Sequence, residues 1–182
     1  MSKRRSPRDA NQRRRKRLSS PKPSGQNPSL PAPPPESPRA RELATKLRGE
    51  LAELAFFYIA FKYGFIVSKP YGDSQRYDFL LDSGKTIYRV QVKCSTALLN
   101  GQYHINAHRR VNGRAVPYTL DEVDFIVAYI VPEDSWFILP LSHVLGITSL
   151  LFRPKRSRLT GLYDPYREAW HLLRQPDGLE IL

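Results

Sequence analysis

Four groups near the middle of the chain could hold a metal ion and activate a water. Asp78 closes the segment Arg76-Tyr77-Asp78, and Gln91-Val92-Lys93 follows a short way on. Hydrolysing a phosphodiester requires charge to be neutralised at the phosphorane and a water to be made nucleophilic. Magnesium does both, and it takes oxygen ligands such as carboxylate, amide and backbone carbonyl. A neighbouring lysine can hold the water or stabilise the developing charge. Asp78, Gln91, the Val92 carbonyl and Lys93 supply this set.

These groups act together only if the backbone brings them to one face. Residues 77–81 and 86–93 alternate and are rich in β-formers, and Asp82-Ser83-Gly84-Lys85 between them has turn chemistry. Side chains alternate along a strand, so Arg89, Gln91 and Lys93 share one face and Val90, Val92 and Cys94 the other. A turn of two or four residues sets Leu81 opposite Thr86 and Asp78 opposite Arg89. Gln91 is then a diagonal neighbour of Asp78, roughly 7–8 Å away. Taken alone, the same pattern describes any half-exposed antiparallel strand.

Around this hairpin the pattern predicts a helix first. Leu43, Leu47, Leu51, Leu54, Tyr58 and Phe61 recur at spacings of three and four, which reads as the core face of an amphipathic helix ending at Gly64. Strands follow at residues 65–68, 103–107, 124–131 and 136–139. Short helices are expected at 142–146 and 166–173, and Arg109, Arg110 and Arg114 mark a basic loop between strands. The order gives an α/β or α+β sheet with helical cover.

The 182 residues carry a formal net charge of +12, unevenly spread. Residues 1–40 hold nine of the 16 prolines, 11 basic residues against two acids, and no aromatics. Such a stretch cannot bury enough surface to offset its ordering entropy, so a disordered N-terminal tail is expected. Its arginine runs suit phosphate contact without sequence readout. The expected division is a tail over 1–40, a core over 41–147 and a basic and helical extension over 148–182. A single cysteine, Cys94, excludes an intramolecular disulfide and a thiolate-rich zinc site, and favours a reducing compartment. Cytoplasm, in association with the nucleoid, is the expected location, or the nucleus in a eukaryotic host. His104 and His108 lack a third ligand in sight and read as surface or interface residues.

The ordered succession adds weight to the local motif. Arg48-Gly49-Glu50-Leu51-Ala52-Glu53, Gly64-Phe65-Ile66-Val67, Pro70, Arg76-Tyr77-Asp78, Tyr88-Arg89-Val90-Gln91-Val92-Lys93 and Trp136-Phe137-Ile138-Leu139-Pro140 follow one another. Over residues 46–145 this resembles the PD-(D/E)XK nuclease superfamily, in the branch of group I intron-encoded endonucleases and, more distantly, archaeal Holliday-junction resolvases. The resemblance implies a restriction-endonuclease-like αβββαβ core with a mixed central sheet flanked by helices. It implies Asp78 as metal-binding aspartate and Lys93 as catalytic lysine. Gln91 stands where most of the superfamily has Glu or Asp, and the intron-encoded branch is similar in using Gln there. Glu53 is the implied helix carboxylate, with Glu50 one turn earlier as the fallback.

The expected activity is therefore a Mg2+-dependent DNA endonuclease, with Mn2+ able to substitute. Its site is Glu53, Asp78, Gln91 and Lys93, with Asp78, Gln91, Val92 and Glu53 as metal ligands. Arg76, Arg89, Arg109, Arg110 and Arg114 are the expected DNA contacts. Cutting both strands calls for two active sites, so a homodimer or homotetramer is expected. The rival readings are a nuclease-derived DNA-binding protein that no longer cuts, and a basic adaptor acting through its tail.

Overall fold

The computed structural model describes residues 38–72 and 74–174, with side chains from residue 44 onward. The expected tail therefore lies outside the described residues as far as residue 37. Helix α1, Pro38–Lys62, runs through good helix formers. Gly64, at φ +81°, ends it. The Phe65 amide donates to the Ala60 carbonyl and the Gly64 amide to the Phe61 carbonyl, the paired bonds of a glycine-capped helix terminus.

The strands are β1 (Ile66–Ser68), β2 (Phe79–Asp82), β3 (Ile87–Ser95), β4 (Leu98–Leu99), β5 (Gln102–Asn106), β6 (His108–Val111), β7 (Arg114–Pro117), β8 (Phe125–Ile130), β9 (Ser135–Pro140) and β10 (Ser149–Phe152). Five form the main sheet in the order β1-β2-β3-β8-β9. It is mixed: β3 and β8 run parallel and the other pairs antiparallel. The interior strand β8 reads Phe-Ile-Val-Ala-Tyr-Ile without polar alternation because both its faces are covered.

On one face α1 packs through Ala52, Phe56 and Ala60 against Phe79, Leu81, Val90, Trp136 and Trp170. The other face packs against β5, β10 and the loops around them, through Ile126, Phe137 and Leu139. The expected core stripe of α1 is thus on the wrong side. Leu47, Leu51, Leu54, Tyr58 and Phe61 are 54–70% exposed. The reason is fit: Phe56 between two alanines sets one large ring into the sheet while the backbone comes close, and its centroid lies 5.3 Å from that of Phe79. Both stripes have helical period, so period could not choose between them.

The αβββαβ core implied by the resemblance would put a second helix between β3 and β8, but the described residues hold a second β layer there, in which β5 corresponds to the strand expected at 103–107. The crossover runs through β4 and β5, which pair with β10, and then through the β6–β7 ribbon. Two Asn-Gly steps turn these hairpins: Asn100 and Gly101 at φ +51° and +75°, Asn112 and Gly113 at +49° and +78°. Such turns require two successive positive φ values. The basic loop expected at 109–114 is this ribbon. The expected helices at 142–146 and 166–173 are short 3-10 turns, Leu141–His143, Asp164–Tyr166 and Trp170–Arg174. Pro165 and the positive φ of Glu168 (+52°) break the regular path of the last two. Residues 148–174 are not an appendage, since Leu150 and Phe152 lie in one core and Trp170, Leu172 and Leu173 in the other.

Candidate active site

The β2–β3 hairpin turns through Ser83–Thr86, because Asp82 pairs with Ile87. The turn has four residues, as parity required, but sits one residue later than expected. Phe79 pairs with Val90, so Asp78, immediately before β2, falls opposite Gln91 itself rather than on its diagonal. Asp78 is also tied into the ladder, its amide donating to the Val90 carbonyl at 2.9 Å.

The Asp78 carboxylate is held from β3. Its Oδ2 accepts the Val92 amide at 2.8 Å and the Gln91 side-chain amide. Both fall on Oδ2, which leaves Oδ1 without a partner among the described residues. Burial pushes the Asp78 carboxyl above its ordinary value; the Val92 amide, Lys93 and Gln91 pull the other way, and the charge of Glu53 adds to the rise. Gln91 is 6% exposed, and it and Ser135 are the polar residues of the otherwise apolar interior. A carboxylate in its place would crowd a third negative charge onto Asp78 and Glu53.

Glu53 reaches the site from α1. Its Oε2 accepts a 2.7 Å hydrogen bond from Lys69 Nζ, an ion pair across from α1 to the end of β1. That bond, offset in part by burial, raises Lys69 above its ordinary value. Lys69 was not singled out from the sequence. The signal available was a cation directly before Pro70, just past the strand beside β2, which is weak without knowing that β1 passes α1. Glu50 is exposed and pairs at 4.0 Å with Lys46 on its own helix. Lys93 is half-buried, with Nζ 5.9 Å from the Tyr118 ring centroid.

Glu53, Asp78, Gln91, Val92 and Lys93 together line one cleft of about 540 Å³. Its far wall holds His104, Asn106, His108 and Arg110 from β5 and β6. His108 Nδ1 donates to the Thr148 carbonyl at 2.8 Å. A second hollow opens on Lys69, Glu53 and Asp78 from the other side.

The five arginines separate by how their charge is used. Arg89 pairs twice with Asp124, Nε to Oδ2 at 3.0 Å and Nη2 to Oδ1 at 2.7 Å, and donates to the Leu120 and Asp121 carbonyls. Arg109 and Arg76 converge on Glu122 Oε1 at 3.0 and 3.9 Å. Arg110 and Arg114 are exposed on the β6–β7 ribbon, and Arg110 donates to the Gly113 carbonyl.

The donors suit a hard divalent cation. Two carboxylates, one primary amide and one backbone carbonyl are all oxygen donors, though the Gln91 amide must turn its oxygen rather than its nitrogen to the ion. Among the described residues no cluster of three His, Cys, Asp or Glu exists, so Gln91 and the Val92 carbonyl are needed to complete any such set.

A mixed sheet with one helix against it, an aspartate at the start of one hairpin strand and a Gln-x-Lys on the other define a restriction-endonuclease-like nuclease fold. The chain belongs to the PD-(D/E)XK endonuclease family, whose model matches residues 43–172. Among solved structures it is similar to the bacterial homing endonuclease I-Ssp6803I, at 31% sequence identity and a TM-score of 0.61, over 72% of this chain and 91% of that one. No curated protein matches the sequence. Nucleases of this family typically use divalent metals. No helix among the described residues is long and apolar enough to cross a membrane.

Proposed function

We propose that this chain is a Mg2+-dependent DNA endonuclease whose cleavage site is Glu53, Asp78, Gln91 and Lys93. The observation that carries the reading is the Asp78–Gln91 pair, directly opposed across a hairpin at a cleft that Glu53 enters from α1 and Lys93 from β3. A divalent cation held by Asp78, Gln91, the Val92 carbonyl and Glu53 would neutralise phosphate charge and lower the pKa of a bound water. Mn2+ should substitute, because the donors are oxygen atoms.

The chain's own residues have separable tasks. The Val92 amide fixes Asp78 by one oxygen and leaves the other to the cleft. Lys93 holds the attacking water or the developing phosphorane charge. Lys69 keeps Glu53 aimed before substrate arrives. Arg110 and Arg114 are the cations free to follow a DNA backbone, while Arg76, Arg89 and Arg109 brace the same surface through acidic partners.

The test is cleavage of supercoiled plasmid and of a branched junction by wild type and Asp78→Ala, in magnesium, manganese and EDTA. Wild type should nick or cut with either metal and not in EDTA, and Asp78→Ala should lose activity while retaining salt-sensitive DNA binding. Equal cutting by both proteins would refute the site. One observation favours the rival reading of a binding protein that does not cut: Lys69 already neutralises Glu53. That reading predicts binding by both proteins and cleavage by neither.

A further inference from the structure

His108 stands on the far wall of the cleft, and none of the tasks of Glu53, Asp78, Gln91 and Lys93 uses it. Its Nδ1 lies 2.8 Å from the Thr148 carbonyl. A carbonyl oxygen only accepts, so Nδ1 carries a proton and the tautomer is set. The same carbonyl accepts the Ala107 amide at 2.9 Å, and Ala107 is buried. Ring and backbone are thus pinned together where β5 passes into β6, beside the start of β10. Nε2 is left as the ring nitrogen available to the cleft, with no partner among the described residues.

Cleaving a phosphodiester has a departing side as well as an attacking one. In an in-line displacement the two oxygens lie on opposite sides of the phosphorus. Asp78, Gln91 and Lys93 form the hairpin wall, where the attacking water is held. The departing oxygen is therefore directed at the wall built by β5 and β6. It leaves as a strongly basic alkoxide unless a proton reaches it as its bond breaks, and the hairpin wall faces the wrong side to supply one.

We propose that His108 is the general acid of cleavage, delivering a proton from Nε2 to the departing oxygen. The inference rests on the nuclease reading. The water oxygen bonds to phosphorus, and the bond from phosphorus to the bridging oxygen breaks. That bond's electron pair stays on the bridging oxygen, which takes the Nε2 proton. The surplus proton of the water passes to solvent, and the neutral imidazole regains one from solvent. Imidazole suits such a cycle because it gains and loses a proton near neutral pH. A guanidinium does not release a proton in a protein, which sets Arg110 aside. His104 shares the wall, but no hydrogen bond among the described residues fixes its ring.

The test uses the full chain and a duplex carrying the bond that the plasmid or junction assay shows to be cut. A second duplex has sulfur in place of the departing bridging oxygen, which the product ends identify. A thiolate is far less basic than an alkoxide and departs without a proton. Single-turnover rates in manganese are compared for wild type and His108→Asn, whose amide can still donate to the Thr148 carbonyl but has no second nitrogen. The variant should cut the natural duplex roughly 100-fold or more slowly than wild type, and the sulfur duplex within about three-fold of wild type. Both rates come from one preparation, so any loss of folded protein affects them alike. His108→Gln should show the same selectivity. Equal losses on both duplexes would make His108 a structural or backbone-contact residue and overturn the proposal, as would no loss on either. If wild type cuts neither plasmid nor junction, the nuclease reading itself fails and takes the proposal with it.

Discussion

Arg89 and Gln91 stand two residues apart on one face of β3, yet they meet opposite surroundings. Arg89 has every demand met: a bidentate carboxylate, two carbonyls, and an Asp124 that also accepts the Arg89 amide at 2.7 Å. Asp124, first among the causes, raises the arginine further above its ordinary value. Gln91 instead faces a carboxylate whose charge is poorly compensated. Asp78 is pushed towards its neutral form by burial, with Glu53 adding to the effect. A polar group whose partners balance its charge holds a fold together. A buried acid left short of positive charge is poised to take a cation. The same strand therefore carries a lock and the proposed site.

The contrast can be sharpened from its largest expected effect downwards. Lys93→Met should lower the cleavage rate roughly 10²–10³-fold with DNA binding and thermal stability retained, as for loss of one charge-stabilising donor. Single-turnover kinetics on a metal-saturated protein measure it. Arg89→Ala should do the reverse, lowering stability by about 2–3 kcal/mol through lost charge-assisted hydrogen bonds and a stranded Asp124. Urea titration reads this. Unchanged stability with lost DNA affinity would instead return Arg89 to the DNA-contact surface.

Asp78→Asn probes the uncompensated charge directly. A carboxyl raised in the folded state binds its proton more tightly there than in the unfolded chain. Its contribution is therefore most favourable at acid pH and is lost as pH rises from the ordinary carboxylate value through the raised one. Without metal, the variant should melt above wild type at neutral pH, and the gap should close on acidification through that window. A constant gap would mean the carboxyl is not raised. Lys69→Met is the smallest effect. Freeing Glu53 should shift the metal concentration for half-maximal cleavage by roughly 10-fold or less, as for loss of an outer-shell partner. A metal titration of initial rates checks it.

Much of the site was readable because alternation has a period of two. Any even turn keeps Asp78, Gln91 and Lys93 on one face. The register itself was not readable, since Asp82 could either belong to the turn or pair with Ile87. In the tertiary structure it pairs, and its Oδ1 caps the Gly84 amide at 2.7 Å. The strand expected at 103–107 corresponds to β5, while the two Asn-Gly steps that turn the hairpins on either side of it did not enter that expectation, although Asn-Gly is a local hairpin signal. Lys69 could not be found from spacing, because only the approach of β1 to α1 gives it Glu53. Arg89 and Arg110 are equally basic in the sequence and differ only in what the fold sets beside them.

By itself the sequence determined the hairpin, the face on which its polar residues emerge, the glycine stop of α1 and the apolar core strands. These depend on alternation, on φ preferences and on hydrophobic runs, all of which act between near neighbours. Only the tertiary structure decided which stripe of α1 meets the sheet, that β strands rather than a helix bridge β3 to β8, and which charges are spent on one another. Those outcomes depend on shape and charge matching between segments distant in the chain, and a single helix with two apolar stripes carries no local record of which one its partner will choose.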